Sequence, residues 1–226
     1  MKCKVCDKKC IKNGFQANGV QRYFCRLCKK STQKRYTYKS YQKHTNKLIY
    51  RLIVNSCGIN DISRVLRISR HTVKKRLLYL SKQTKRPALF EHQQSYEIDE
   101  MYARIKNKKH RYWITYAINR KTKTIVALYI GKRKAKHIAN VVNRILLLNP
   151  KRIYSDHFSS YKKLIPKNIH RAGKSLTNHI ERLHLNLRTH LKCLSRKTIC
   201  FTKSLKTLEA IVRLYFWGNT INFKYV

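Results

Sequence analysis

The chain has 226 residues, and its 53 Lys+Arg against 9 Asp+Glu give a formal net charge of +44, so a polyanionic partner is required, with nucleic acid the leading candidate. Hydrophobic residues make up 42% and aromatic residues 11%, with only 6 Gly and 3 Pro, which excludes a disordered basic tail and requires a folded core. No run reaches the roughly 18 apolar residues of a membrane span, and no apolar stretch follows the charges of the opening MKCKVCDKKC, so no membrane partner and no leader are expected and the cytoplasm is the expected compartment.

In that reducing compartment paired cysteines hold metal more often than they form disulfides. Cys3-x-x-Cys6 and Cys25-x-x-Cys28 are separated by 18 residues that include Gly14, Gly19 and the β-prone run Gln21-Arg22-Tyr23-Phe24. Two residues between cysteines let a tight turn aim both thiolates at one ion, so residues 1–40 read as a zinc ribbon with one structural Zn²⁺ on Cys3, Cys6, Cys25 and Cys28. Cys10 is close enough in sequence to compete with Cys6. Cys57, Cys193 and Cys200 read as ordinary buried thiols.

Over residues 41–82 the pattern turns helical. Leu48, Ile49, Leu52 and Ile53 recur at helical spacing, and Gly58 breaks the run. Asn60 or Asp61 can cap a second helix carrying Ile62, Val65 and Leu66, and Ser69 a third carrying Val73, Leu77 and Leu80. This is a helix-turn-helix pattern. Its third helix should bury Val73, Leu77 and Leu80 and present Arg70, His71, Lys74 and Lys75 to DNA. Residues 83–94, with Pro87 and Glu91, lose periodicity and read as a linker.

Residues 95–226 open with three strands, Tyr96 to Ala103, Arg111 to Asn119 and Thr124 to Ile130, whose short connections imply antiparallel neighbours. An amphipathic helix with Ile138, Val141, Val142, Ile145 and Leu146 follows and stops at Asn149-Pro150. Then come a short strand, Arg152 to Asp156, and a helix from about Thr177 to Leu191 with Glu181 in its first turn. A last helix, Ser204 to Trp217, should pack on this core, with an oligomer contact as the second reading. The order is that of a ribonuclease-H-like (retroviral integrase-like) α/β domain with a mixed sheet, so the fold class is multidomain α+β.

Such a fold brings together three of the nine acids, Asp99, Asp156 and Glu181. Residues two apart on a strand share a face, so Asp99 lies on the side of Glu97 and Met101, and Glu100 points the other way. Converging carboxylates repel unless cations sit between them, and hard oxygen ligands suit two Mg²⁺ or Mn²⁺ ions. Two ions about 3.5–4 Å apart support in-line displacement at phosphorus. Glu97 and Glu100 are rivals to Asp99, whereas Asp61, Glu91 and Glu209 read as cap, linker and helix-surface residues.

The stretches Glu97-Ile98-Asp99-Glu100, Tyr154-Ser155-Asp156 and Asn178 to Arg188, continuing through Leu194-Ser195-Arg196-Lys197-Thr198, resemble the catalytic segments of the insertion-sequence-one family of transposases. In that family an Asp, Asp, Glu triad has 24 residues between the second Asp and the Glu, as between Asp156 and Glu181. The front half resembles the same family's zinc ribbon and helix-turn-helix. In many members the halves lie in separate reading frames, whereas this chain is continuous.

The resemblance implies a DDE transposase that binds the terminal inverted repeats of an insertion sequence, cleaves with Mg²⁺ and transfers strands. Asp99, Asp156 and Glu181 would hold the ions, Arg188 would contact DNA, and His184 would orient a carboxylate or phosphate. The partners it implies are double-stranded element ends and target DNA, bound by a homodimer or larger assembly at the nucleoid of a prokaryotic host. The rival readings are a non-catalytic DNA-binding repressor and a hydrolytic nuclease or resolvase that cuts without joining.

Overall fold

The structure is a computed structural model that describes residues 1–35, 38–42, 44–86 and 92–223. Pro87 and Glu91, which the sequence assigns to a linker, lie outside the described residues. The chain divides into two compact units, Met1–Gln42 and Lys43–Val226.

In the first unit β1 (Ile11–Phe15), β2 (Gln21–Cys25) and β3 (Lys30–Gln33) form an antiparallel sheet in that order. Asp7 and Lys29, each directly after the second cysteine of a pair, take left-handed φ values of 55° and 51°, which turns the chain sharply behind each pair. The buried side chains of this unit's one apolar cluster are Cys3, Cys10 and Cys25, with Cys6, Tyr23 and Cys28 packed against them. Among the described residues this cluster is built on thiols and holds no aliphatic side chain.

In the second unit α1 (Thr45–Val54), α2 (Ile59–Leu66) and α3 (Arg70–Gln83) bury Ile49, Ile53, Ile62, Val73, Leu77 and Leu80 against one another. Ser69 caps α3 by accepting the N–H of Thr72 at 3.1 Å. The cap of α2 is Gly58, ahead of the expected Asn60 or Asp61; the Asp61 carboxylate reaches back to accept the Gly58 N–H at 2.9 Å. A carboxylate three residues into a helix can satisfy that donor as well as a capping side chain would.

A five-stranded sheet follows, with β4 (Ser95–Ile105) central, β5 (Asn107–Asn119) and β6 (Ile125–Gly131) antiparallel on one side, and β7 (Arg152–Ser155) and β8 (His170–Ala172) parallel on the other. Alternation along β4 divides its side chains between two apolar clusters. Tyr96 and Ile98 face α4 (Ala135–Leu146) and α5 (Ser159–Leu164), while Met101 and Ala103 face the cluster that holds α6 (Asn178–His190) and α7 (Leu205–Trp217).

The boundary expected at residues 83–94 does not separate two bodies. Helix α7 buries Leu208, Ile211, Val212 and Leu214 in the same cluster as Val73, Leu77 and Leu80 of α3, and its Trp217 indole N–H donates to the Ile125 carbonyl at 3.2 Å. One apolar helix is thus shared between the helical trio and the sheet.

Candidate active site

Four elements meet at the middle of β4. The parallel register pairs Glu97 with Tyr154, so its continuation sets Asp156, one residue past β7, level with Asp99. Ligand oxygens of Asp99, Glu100 and Asp156 all lie within 4.8 Å of one another. Glu181 sits in the first turn of α6 and accepts the Thr177 hydroxyl at 3.3 Å. Its carboxylate is outside that 4.8 Å group but acts on Asp99 by charge repulsion. The structure therefore joins Asp99 to Asp156 and sets Glu181 at their edge.

Three neighbouring acids have three different surroundings. Glu97 is fully buried, paired with Arg120 at 3.1 Å, in contact with His179, and accepting the Ile180 N–H at 3.1 Å. Glu100 is also buried; Arg133 pairs with one of its oxygens at 2.7 Å and the Tyr161 hydroxyl donates to the other. Arg133 in turn lies over the rings of Phe158 and Trp113, at 3.8 and 4.6 Å. Among the described residues Asp99 accepts only the Glu100 N–H, at 2.7 Å, and Asp156 only the Phe158 N–H, at 3.0 Å. Each oxygen of Glu100 is engaged by a protein donor, which leaves Asp99, Asp156 and Glu181 as the less engaged carboxylates here.

Burial, opposed by the Glu100 N–H and reinforced by the charges of Glu100, Asp156 and Glu181, pushes Asp99 up to about 7. His184 Nδ1 stands 3.7 Å from an Asp99 oxygen, and its ring meets Tyr116 edge-on. Burial, then Arg188, pulls His184 down to about 4, so the imidazole beside Asp99 is neutral, and its Nε2 is buried without a hydrogen-bond partner. Arg133 neutralises Glu100, but among the described residues no Lys or Arg pairs with Asp99, Asp156 or Glu181, and such uncompensated carboxylates suit a bound divalent ion, which prefers hard oxygens. The roles of Glu97 and Glu100 escaped the sequence reading, although three acids within Glu97–Glu100 of an acid-poor chain were a signal that more than one had work here.

The other candidates are placed as follows. The Sγ atoms of Cys3, Cys6, Cys25 and Cys28 lie within 4.8 Å of one another, and Cys10 is not among them. The N–H groups of Val5 and Cys28 point at the sulfurs of Cys3 and Cys25, at 3.4 and 3.5 Å. The Val5 and Cys6 amides draw Cys3 down to about 6, while hydrogen bonding to Cys6 and burial push Cys28 up to about 12. Mutually hindered thiols of this kind release their protons to a metal ion, so the four sulfurs suit zinc. On α3, Arg70, His71, Lys74 and Lys75 are exposed on the side away from Val73, Leu77 and Leu80. Arg188 lines a cavity one turn beyond His184.

Residues 94–222 match the family described as IS1 transposase. The insertion element iso-IS1n protein InsB of Shigella dysenteriae is 35% identical over 116 residues, covering 51% of this chain and 88% of that protein. The insertion element IS1 4 protein InsB of Escherichia coli (strain K12) is 30% identical over 132 residues, covering 57% and 74%. Among solved structures, the HTLV-2 integrase catalytic core domain aligns over 60% of this chain and 92% of its own at 15% identity, with a TM-score of 0.38. No helix among the described residues is long and apolar enough to cross a membrane.

Proposed function

The chain belongs to the IS1 transposase family and is a DDE transposase, and we propose that Asp99, Asp156 and Glu181 form the divalent-metal site with which it cuts element ends and joins them to target DNA. One observation carries this reading. Asp7, Asp61, Glu97, Glu100 and Glu209 each pair with a Lys or Arg. Among the described residues, Asp99, Asp156 and Glu181 pair with none, in a chain with 53 such cations. In so cationic a protein, three neighbouring acids without a Lys or Arg partner are held apart from the protein's permanent cations.

Their oxygens would hold two Mg²⁺ or Mn²⁺ ions, which when bound activate a water or 3′-hydroxyl and steady the leaving oxygen. The protein's own part is positioning. The Glu100 N–H fixes one Asp99 oxygen, the Phe158 N–H fixes one of Asp156, and the Thr177 hydroxyl holds Glu181. His184 supports Asp99, and Arg188 meets the DNA backbone. The sheet order, with helices on both faces, supports a ribonuclease-H-like catalytic domain. Residues 1–40 act as a zinc ribbon with one structural Zn²⁺, and residues 41–82 as a helix-turn-helix whose Arg70, His71, Lys74 and Lys75 contact the terminal repeats. Two ends must be brought together, so the active form is a dimer or larger on DNA, in the cytoplasm of a prokaryotic host at the nucleoid.

The test is incubation of the full chain with labelled element ends, target DNA and Mg²⁺, beside Asp156→Asn. Wild type should nick the ends and yield joined products, and the variant should bind but not cut. Binding without cutting by wild type would mark a repressor, cutting without joining a nuclease, and cutting by Asp156→Asn would remove the site.

A further inference from the structure

Beyond the carboxylates, α6 leads to a second feature. A cavity of about 190 Å³ is lined by Tyr102, Arg104, Arg188, Ser195, Arg196 and Lys197, among others, with no acid in its wall. Arg64, Arg120, Arg133 and Arg213 each have a carboxylate partner. No ion pair involves Arg104, Arg188 or Arg196 among the described residues. Gathering three guanidiniums and an ammonium round one hollow is unfavourable unless an anion fills it, and the planar, multi-donor guanidinium fits phosphate oxygens best.

The frame of the hollow is built. The Ser195 hydroxyl donates to the Arg188 carbonyl at 2.9 Å, which ties the turn to α6, and Leu194 is buried beneath it. Lys197 takes a left-handed φ of 56°, reversing the chain between Arg196 and Thr198, whose hydroxyl accepts the Cys200 N–H at 3.0 Å. The hollow is large enough to admit a phosphate group.

We propose that Arg104, Arg188, Arg196 and Lys197 form a subsite for one backbone phosphate of the DNA strand entering the carboxylate site. The proposal rests on the transposase reading above and adds a location to it. Arg188 follows Glu181 by seven residues, nearly the same helix face, at about 10 Å along the axis. The phosphate held here therefore lies within a few nucleotides of the bond that is cut.

The experiment replaces single phosphates near the cut, one at a time, by neutral methylphosphonates in element-end DNA. Affinity and nicking by the full chain are then read for wild type, Arg104→Ala, Arg196→Ala and, as a control on an exposed residue elsewhere, Lys167→Ala. At one position within a few nucleotides of the cut, neutralisation should weaken wild type about tenfold and the two arginine variants at most twofold, with Lys167→Ala behaving as wild type. Equal losses in wild type and both arginine variants at every position would overturn the subsite while leaving cutting by wild type intact. If wild type neither binds nor cuts the unmodified ends, the transposase reading falls and the subsite with it.

Discussion

Glu97 accepts the backbone N–H of Ile180 at 3.1 Å, although 83 residues separate the two. Ile180 lies in the first turn of α6, so a buried carboxylate on the central strand does for this helix what a capping side chain usually does from within it. The same turn carries Glu181, and Glu97 is therefore a positioning residue for the candidate site. Glu97→Ala leaves Arg120 and the helix end without their partner and should cost about 3 kcal/mol, read as a fall of several degrees in melting temperature. Glu97→Gln keeps an acceptor for the amide and should recover much of the stability. If Ala and Gln are equally benign, the anchor is not real.

The raised pKa of Asp99 gives a signed prediction. Its folded value of about 7 lies above the ordinary carboxylate range, so the charge penalty on the magnesium-free fold is full above pH 7 and fades as pH falls toward about 4. Asp99→Asn should therefore be more stable than wild type at pH 8 in magnesium-free buffer, by an amount on the order of 2–4 kcal/mol, and the gap should narrow below pH 7 and close as pH approaches 4. Mg²⁺ affinity of wild type should drop about tenfold per pH unit below 7, because the proton must leave before the ion binds. A gap that widens on acidification would contradict the assignment.

For the N-terminal unit, mercurial titration of the thiols should release one zinc per chain. Cys25→Ser should lose the ion and the fold of residues 1–42. Cys10→Ser should keep both, because the Cys10 sulfur stands outside the group of four. Loss of zinc in Cys10→Ser with retention in Cys6→Ser would reassign the fourth ligand.

On α3, Lys74→Ala and Lys75→Ala should weaken binding to terminal-repeat DNA and lower the slope of log K against log salt by about 0.9 for each phosphate no longer neutralised. The exposed Lys163→Ala, far along the chain on α5, should leave the slope unchanged. An unchanged slope in both α3 variants would move the DNA-binding face elsewhere.

What the sequence made legible was local or scarce. The Cys-x-x-Cys pairs, the Ser69 cap and the strand and helix periods depend on neighbours within a few residues. Asp99 and Asp156 could be picked out as neighbours because acids are rare in this chain and the element order was recognisable. Strand β8 and helix α5, of 3 and 6 residues, are too short to print a period. The anchoring of α6 by Glu97 and the pairing of Glu100 with Arg133 and Tyr161 join residues 33 to 83 apart. Such pairings exist only once the sheet is assembled. The same holds for α7: its apolar face was plain in sequence, but its being shared with α3 was not.

The most direct test is a titration of the full, zinc-loaded chain with Mn²⁺, followed by electron paramagnetic resonance in the presence of element-end DNA. Wild type should bind up to two Mn²⁺ ions, and Asp99→Asn, Asp156→Asn and Glu181→Gln should each lose affinity at least tenfold while still binding DNA. Mn²⁺ binding equal to that of wild type in these three variants would contradict a metal site built on these carboxylates.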